Sequence, residues 1–224
     1  MPDSSVPVIT IDGPSASGKG TIAQRVAQAL GFHYLDSGAL YRLVGWIAIR
    51  RGIDLENESA LSDIAMNMNI KMSGEEIFIE DREVSDELRT EAAGAAASRV
   101  AALPGVRSAL LGRQLGFRRV PGLVADGRDM GSTVFPDAIV KIFLTASAEE
   151  RAKRRYNQLI KKGLSANIRT LLHEIRERDA RDSQRSVAPL QKSADAFEVD
   201  TTGLPIDEVT AIVLARSRQA LMAP

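Results

Sequence analysis

Gly13-Pro14-Ser15-Ala16-Ser17-Gly18-Lys19-Gly20-Thr21 places a glycine at each end of a run of small residues, with a lysine directly after the second. This is the spacing of a phosphate cradle. Phosphate oxygens need backbone N–H groups pointing inward, and large side chains would block their approach. A helix that begins at the end of the loop adds its N-terminal partial positive charge. Lys19 supplies a mobile cation able to follow a phosphoryl group in transfer. Gly20 stands where a Ser or Thr commonly binds a metal such as Mg²⁺, and Thr21 follows it. An accidental Gly-rich turn is the competing reading, and the strand and helix expected on either side argue against it.

Phosphoryl transfer requires two polyanions to be held together away from water, and arginines from several directions can do this. Tyr41-Arg42 follows Asp36-Ser37-Gly38. Arg128 and Asp129 follow the apolar run Leu123-Val124-Ala125, at the sheet edge where α/β proteins bind ligands. Arg151, Lys153, Arg154 and Arg155 open a basic stretch, and Arg178, Asp179, Arg181, Asp182 and Arg185 close the next. Lys161, Arg169 and Arg176 read as a solvated face. Glu174, Arg178 and Asp182 are spaced for i,i+4 pairing, which is compatible with ligand binding. His33 and His173 lie in no motif, and Trp46 reads as packing.

The elements that must position these residues follow from apolar periodicity. Val8–Asp12 is a buried strand, and Ile22, Val26, Ala27 and Leu30 mark a helix ended by Gly31. Residues 32–35 form a short strand, and a helix runs from Ser37 to about Arg51. Residues 57–68 form another. Three short strands, 69–73, 77–79 and 82–84, are then joined through a Gly74-Glu75-Glu76 turn. This meander breaks the βαβ rhythm, so 62–102 reads as an insert. Ser85 opens an Ala-rich helix, and Pro104 suits the first turn of the helix that runs to Arg118. Strands at 123–125, 139–144 and 196–199 alternate with helices at 147–161, 167–181 and 205–221. The first of these helices has a Ser147/Glu150 capping box. The pattern predicts an α/β fold, a parallel sheet covered on both sides.

Composition sets the limits. Lys plus Arg equals Asp plus Glu, 29 each, so no global field attracts nucleic acid or membrane. The charge is nevertheless segmented. Residues 54–91 carry twelve acidic and three basic side chains, and residues 151–185 carry eleven basic and four acidic. The absence of cysteine excludes disulfides and thiolate chemistry. Met1–Pro7 has no signal-peptide pattern and no run is long enough to span a membrane, so a cytoplasmic chain is expected.

The GKGT spelling points to nucleoside-monophosphate kinases. Taken with 36–42 (Asp-Ser-Gly-Ala-Leu-Tyr-Arg), 126–131 (Asp-Gly-Arg-Asp-Met-Gly), 141–144 and 178–182, it resembles the bacterial cytidylate kinases over essentially the whole chain. The resemblance implies a P-loop NTPase-type core at 1–61 and 103–224. A monophosphate-binding insert at 62–102 and a short helical lid at about 151–163 complete it. It implies ATP with Mg²⁺ and CMP or dCMP as substrates, in a monomer that needs neither nucleic acid nor membrane. By position, residues 13–21 hold ATP with Arg151 and Arg155 from the lid, and Thr21 is the candidate metal ligand. Arg42 and Arg128 would grip the acceptor phosphate. Ser37, Arg107, Asp129 and Arg185 would face the cytosine, and Ser98, Arg178 and Asp182 the sugar. Tyr41 belongs to the same acceptor set. Lys19, Arg128, Asp129 and Arg181 would carry the catalysis. Three other readings stay open: another acceptor such as UMP, a P-loop protein that only hydrolyses nucleotide, and an RNA-binding module.

Overall fold

The computed structural model describes residues 5–73 and 76–222. Gly74 and Glu75 of the expected hairpin turn lie outside these residues. The chain folds as two compact units, Asp36–Gly116 and the remainder.

Among the described residues, the second of these is built on a five-stranded sheet of order β2-β6-β1-β7-β8. The strands are β1 (Val8–Asp12), β2 (His33–Asp36), β6 (Leu123–Gly127), β7 (Val140–Thr145) and β8 (Phe197–Asp200). β1 pairs in parallel with both β6 and β7, and β7 with β8. Every residue of β1 and β6 is buried, as a central parallel strand covered on both faces requires. Helices α1 (Lys19–Leu30) and α9 (Ile206–Met222) cover one face. Ile22, Val26, Val209 and Val213 pack there on Ile9, Ile11, Val124, Ile142 and Leu144. Helices α7 (Ala148–Lys161) and α8 (Ile168–Gln184) pack against each other. Ser147 caps α7 by accepting from Glu150 N at 3.2 Å, one half of the expected capping box; its own N–H donates instead to Thr202 Oγ1 at 3.1 Å, and the Glu150 carboxylate accepts from Arg154.

The other unit holds α2 (Ser37–Arg50), α3 (Glu58–Asn67), the antiparallel strands β3 (Ile70–Ser73), β4 (Glu76–Ile79) and β5 (Arg82–Glu83), and α4 (Ser85–Leu88). Helices α5 (Glu91–Val100) and α6 (Pro104–Leu115) complete it. The expected insert, 62–102, lies inside this unit, which also takes in α2, the first turn of α3, and α6. α2 packs on α5 and α3 on α6, so these helices share a core with the meander's neighbours. The single Ala-rich helix expected from Ser85 is two helices. Thr90 interrupts it, turning extended and accepting from Ala93 N as the cap of α5. Trp46 donates through its indole N–H to Glu87 at 2.8 Å, and the Arg50 guanidinium lies 4.7 Å from the ring centroid. No helix of the described residues is long and apolar enough to cross a membrane.

Small residues set the α2–α5 distance. A Cβ at Gly45 would stand 2.9 Å from the Ala96 Cβ. Gly45→Ala is therefore expected to destabilise the fold by roughly 1–3 kcal/mol through overpacking, despite alanine's better helix propensity. Denaturant unfolding at constant m-value reads this, and an unchanged or raised midpoint would contradict it.

Candidate active site

The loop between β1 and α1 is shaped by glycine conformation. Gly13 has φ 152°, and a Cβ on it would run into the Leu144 carbonyl oxygen, so any side chain would collide with β7. Gly18 (φ 92°) is the residue before α1. Ala16 also has positive φ, 57°, so its small volume is not the only demand at that position: the backbone there suits glycine better. Lys19 Nζ donates to the Pro14 carbonyl at 3.2 Å. Thr21 is exposed on α1.

Two arginines of α7 hold the back of this loop. Arg151, only 4% exposed, donates to the Ser15 carbonyl at 3.2 Å, to the Ala146 carbonyl at 3.0 Å and to both Asp179 oxygens at 3.0 and 2.5 Å. Arg154 donates to the Ser17 carbonyl at 3.3 Å and to Thr201. Arg155, also expected at ATP, donates to Gln158 at 2.7 Å. The Ser15 and Ser17 hydroxyls are buried with no hydrogen-bond partner. Buried polar atoms left unsatisfied by the protein fit a cradle completed by a polar ligand.

Asp126, near the end of β6, is buried. Its Oδ2 accepts from the Tyr34 hydroxyl at 3.2 Å and would stand 3.1 Å from a Cβ at residue 20. A serine at position 20 would crowd this carboxylate, which gives Gly20 a local physical reason. The carboxylate and the Ser17 hydroxyl are hard oxygen donors of the type Mg²⁺ takes, and a Mg²⁺ that arrives with phosphates needs few protein ligands. The residues present therefore fit that ion.

After β6 the chain makes a tight turn. Arg128 Nε donates to Asp182 Oδ2 at 2.9 Å, and Arg185 Nη2 to Asp129 Oδ1 at 3.4 Å. Arg178 lies 3.9 Å from the same Asp182 oxygen. Asp129 and Asp182 are each 3% exposed, so these charges are paired out of bulk water. Arg181, on the same helix, is exposed. The unit thus brings together Arg128, Asp129, Arg178, Asp182 and Arg185, five of the residues singled out from sequence.

The other unit gathers a second group. Asp36 caps α2 through Ala39 N at 3.0 Å and accepts from Arg42 at 3.2 Å. Ser37 and Ser98 are buried, on α2 and α5. Arg107, 9% exposed, donates to the Ala101 carbonyl and lies 5.9 Å from the Tyr41 ring centroid. A cavity of about 700 Å³ in this unit is lined by Trp46, Arg50, Arg51, Met68, Ile79 and Arg82 among others, and by none of the residues singled out from sequence.

The family model described as cytidylate kinase matches residues 9–219. The chain belongs to the cytidylate kinase family. It is 56% identical to the cytidylate kinase of Nitrosomonas europaea over 223 residues, covering 100% of both chains. It is 57% identical to that of Chromobacterium violaceum over 210 residues, 94% of this chain and 95% of the other. Among solved structures, a gluconokinase from Sinorhizobium meliloti superposes with a TM-score of 0.50 at 17% identity, covering 96% of this chain and 93% of that one, a likeness of fold alone. The GKGT loop and the Asp-Gly-Arg-Asp-Met-Gly block thus belong to a cytidylate kinase family chain whose sheet is parallel at its centre.

Sequence reasoning missed three features of this site. Asp12 accepts from Met130 N at 2.9 Å and Gly131 N at 2.8 Å. Arg154 supports the loop, and Asp126 faces Gly20. The available signal was an acid closing each of two otherwise apolar strands, where a buried charge needs a reason. Met130–Val134 also forms a π-helical turn that no periodicity announces.

Burial pushes the Asp12 carboxyl up to about 6. The N–H bonds from Gly131 and Met130 oppose the rise, Asp129 adds to it and Arg128 opposes it. The folded pKa lies above the unfolded value, so the stability this group contributes is full below about 4 and is lost as pH rises through 6. Wild type should gain on the order of 3 kcal/mol relative to Asp12→Asn between pH 7 and pH 4. Paired denaturation curves over that range check this, and a pH-independent difference would contradict it.

Proposed function

We propose that this chain transfers the γ-phosphoryl group of ATP to CMP and dCMP, forming CDP and dCDP. The observation that carries the reading is membership of the cytidylate kinase family over the whole chain, with an intact phosphate cradle at 13–21. Residues 13–21 bind the ATP phosphates, and Lys19 leaves its Pro14 carbonyl to follow the moving charge. Mg²⁺, bound with ATP, supplies further charge neutralisation, with Asp126, the Ser17 hydroxyl and Thr21 as the groups available to it directly or through water.

The acceptor phosphate is already an anion, so no strong general base is required, and catalysis is positioning plus charge neutralisation. Arg42 and Arg128 take that phosphate. Ser37, Arg107, Asp129 and Arg185 serve the cytosine, Ser98, Arg178 and Asp182 the sugar, Tyr41 belongs to the same acceptor set, and Arg181 joins the catalytic cations. Arg151 and Arg155 are assigned to ATP, which requires Arg155 to exchange its Gln158 partner and Arg151, held by Ser15, Ala146 and Asp179, either to exchange one of these or to act through the loop it supports. Cytosine offers an amino group at position 4 and acceptors at N3 and O2. A carboxylate only accepts and a guanidinium only donates, so Asp129 suits the amino edge and arginines the rest. Uracil would set a carbonyl against Asp129 and leave buried groups unpaired. We further propose a monomer working in the cytoplasm, where free nucleotides are found.

Lys19→Met is expected to abolish transfer in a folded protein, at a cost of several kcal/mol of transition-state stabilisation. Near-normal turnover by a coupled ADP-release assay would contradict the P-loop role. Wild type should prefer CMP and dCMP, use UMP poorly and leave AMP and GMP unused. Asp129→Ala should narrow the CMP-to-UMP gap in kcat/KM rather than lower both alike, and an unchanged ratio would remove Asp129 from the base edge.

A further inference from the structure

We infer that Asp12 is the positioning residue that fixes the acceptor-binding turn Arg128–Gly131 relative to the phosphate cradle, so that one residue sets the spacing of the donor and acceptor groups of this unit. The inference rests on the functional reading above. Asp12 is the last residue of β1, and the cradle begins at the next residue, Gly13. Its two carboxylate oxygens accept from two successive backbone N–H groups, Met130 at 2.9 Å and Gly131 at 2.8 Å. Both oxygens are thus engaged by the turn, and the residue is 6% exposed. Asp12 therefore acts through the turn.

The turn has no room to settle elsewhere. A Cβ at Gly131 would lie 2.7 Å from Thr10 Oγ1 and 3.2 Å from the Lys141 side chain, so its backbone is seated directly against β1 and β7. Its opposite side is tied to the end of α8 and the residue beyond, through Arg128 to Asp182 and Arg185 to Asp129. The two side chains that meet the acceptor, Arg128 and Asp129, immediately precede the two N–H groups that Asp12 holds. An isolated carboxylate at this depth is costly, and the paired N–H donors offset that cost only in the observed seat. In-line transfer depends on near-contact geometry, and a displacement of about 1 Å can cost about a hundredfold in rate.

The test uses the full chain and three variants. Asp12→Asn keeps the shape but turns one acceptor into an N–H donor aimed at a backbone N–H. Gly131→Ala disturbs the same seat with Asp12 intact, and Thr10→Ala added to it removes the colliding oxygen. Calorimetric titration with a non-hydrolysable ATP analogue and with CMP is combined with kcat/KM for CMP and UMP. The expected result is ATP-analogue affinity within about threefold of wild type, kcat/KM for CMP lower by about a hundredfold, and a narrowed CMP-to-UMP ratio. The Thr10→Ala/Gly131→Ala pair should recover part of the loss. A general structural role predicts parallel loss of both ligands with an unchanged ratio, and that result overturns the inference. If Asp12→Asn does not fold, Gly131→Ala decides alone: wild-type CMP kinetics in that variant overturn the inference. A wild-type chain that fails to phosphorylate CMP overturns the functional reading, and the inference with it.

Discussion

A peptide group has two ends, and a loop that turns its N–H groups toward an anion turns carbonyls the other way. Buried carbonyls need donors. In this chain Ser15 and Ser17 present theirs to Arg151 and Arg154, and Pro14 to Lys19. The rest of the P-loop unit can be read as support for that arrangement. The sheet brings β7 against Gly13, closely enough that only glycine fits. α7 delivers two arginines one turn apart, Asp179 on α8 fixes the first, and Thr201 after β8 the second. The basic charge of residues 151–185 is therefore partly consumed inside the protein, holding the cradle in shape.

The same economy of partners governs the turn after β6 and the end of α8. Asp129, Asp182, Arg128 and Arg185 are largely withdrawn from solvent and satisfy one another. Such pairs contribute little net stability, because desolvation cancels most of the attraction, but they hold charged groups in fixed directions. A ligand that exchanges with these partners meets groups already aimed and already stripped of water, which lowers the ordering cost of binding.

Most of the fold was legible because its signals are local. An apolar run before a Gly-rich loop identified β1, Ser147 with Glu150 marked the start of α7, and Pro104 marked α6. The departures have local physics too. Thr90 splits the Ala-rich segment because its side-chain oxygen caps a new helix at Ala93 N, which competes locally with continuation of the preceding turn. The π-helical turn at Met130–Val134 is held at its first two N–H groups by Asp12, which no local pattern in the sequence pairs with it. The site divides in the same way. The cradle and the arginines are visible as motif and charge. The reach of Arg154 to Ser17 and the approach of Asp126 to Gly20 come only from tertiary contact. The compact unit extends beyond 62–102 because α2 and α6, unremarkable in sequence, pack on α5 and α3.

Trp46 is the only tryptophan of the chain, and it lies in the Asp36–Gly116 unit, hydrogen-bonded to Glu87 with a guanidinium over its ring. Its emission therefore reports on one of the two units and is silent about the P-loop unit. A fluorescence melt and a circular-dichroism melt of this protein observe different populations of residues. Where the two units unfold together the curves superimpose, and where they do not the optical signal alone assigns the earlier or later transition to the unit that carries the indole.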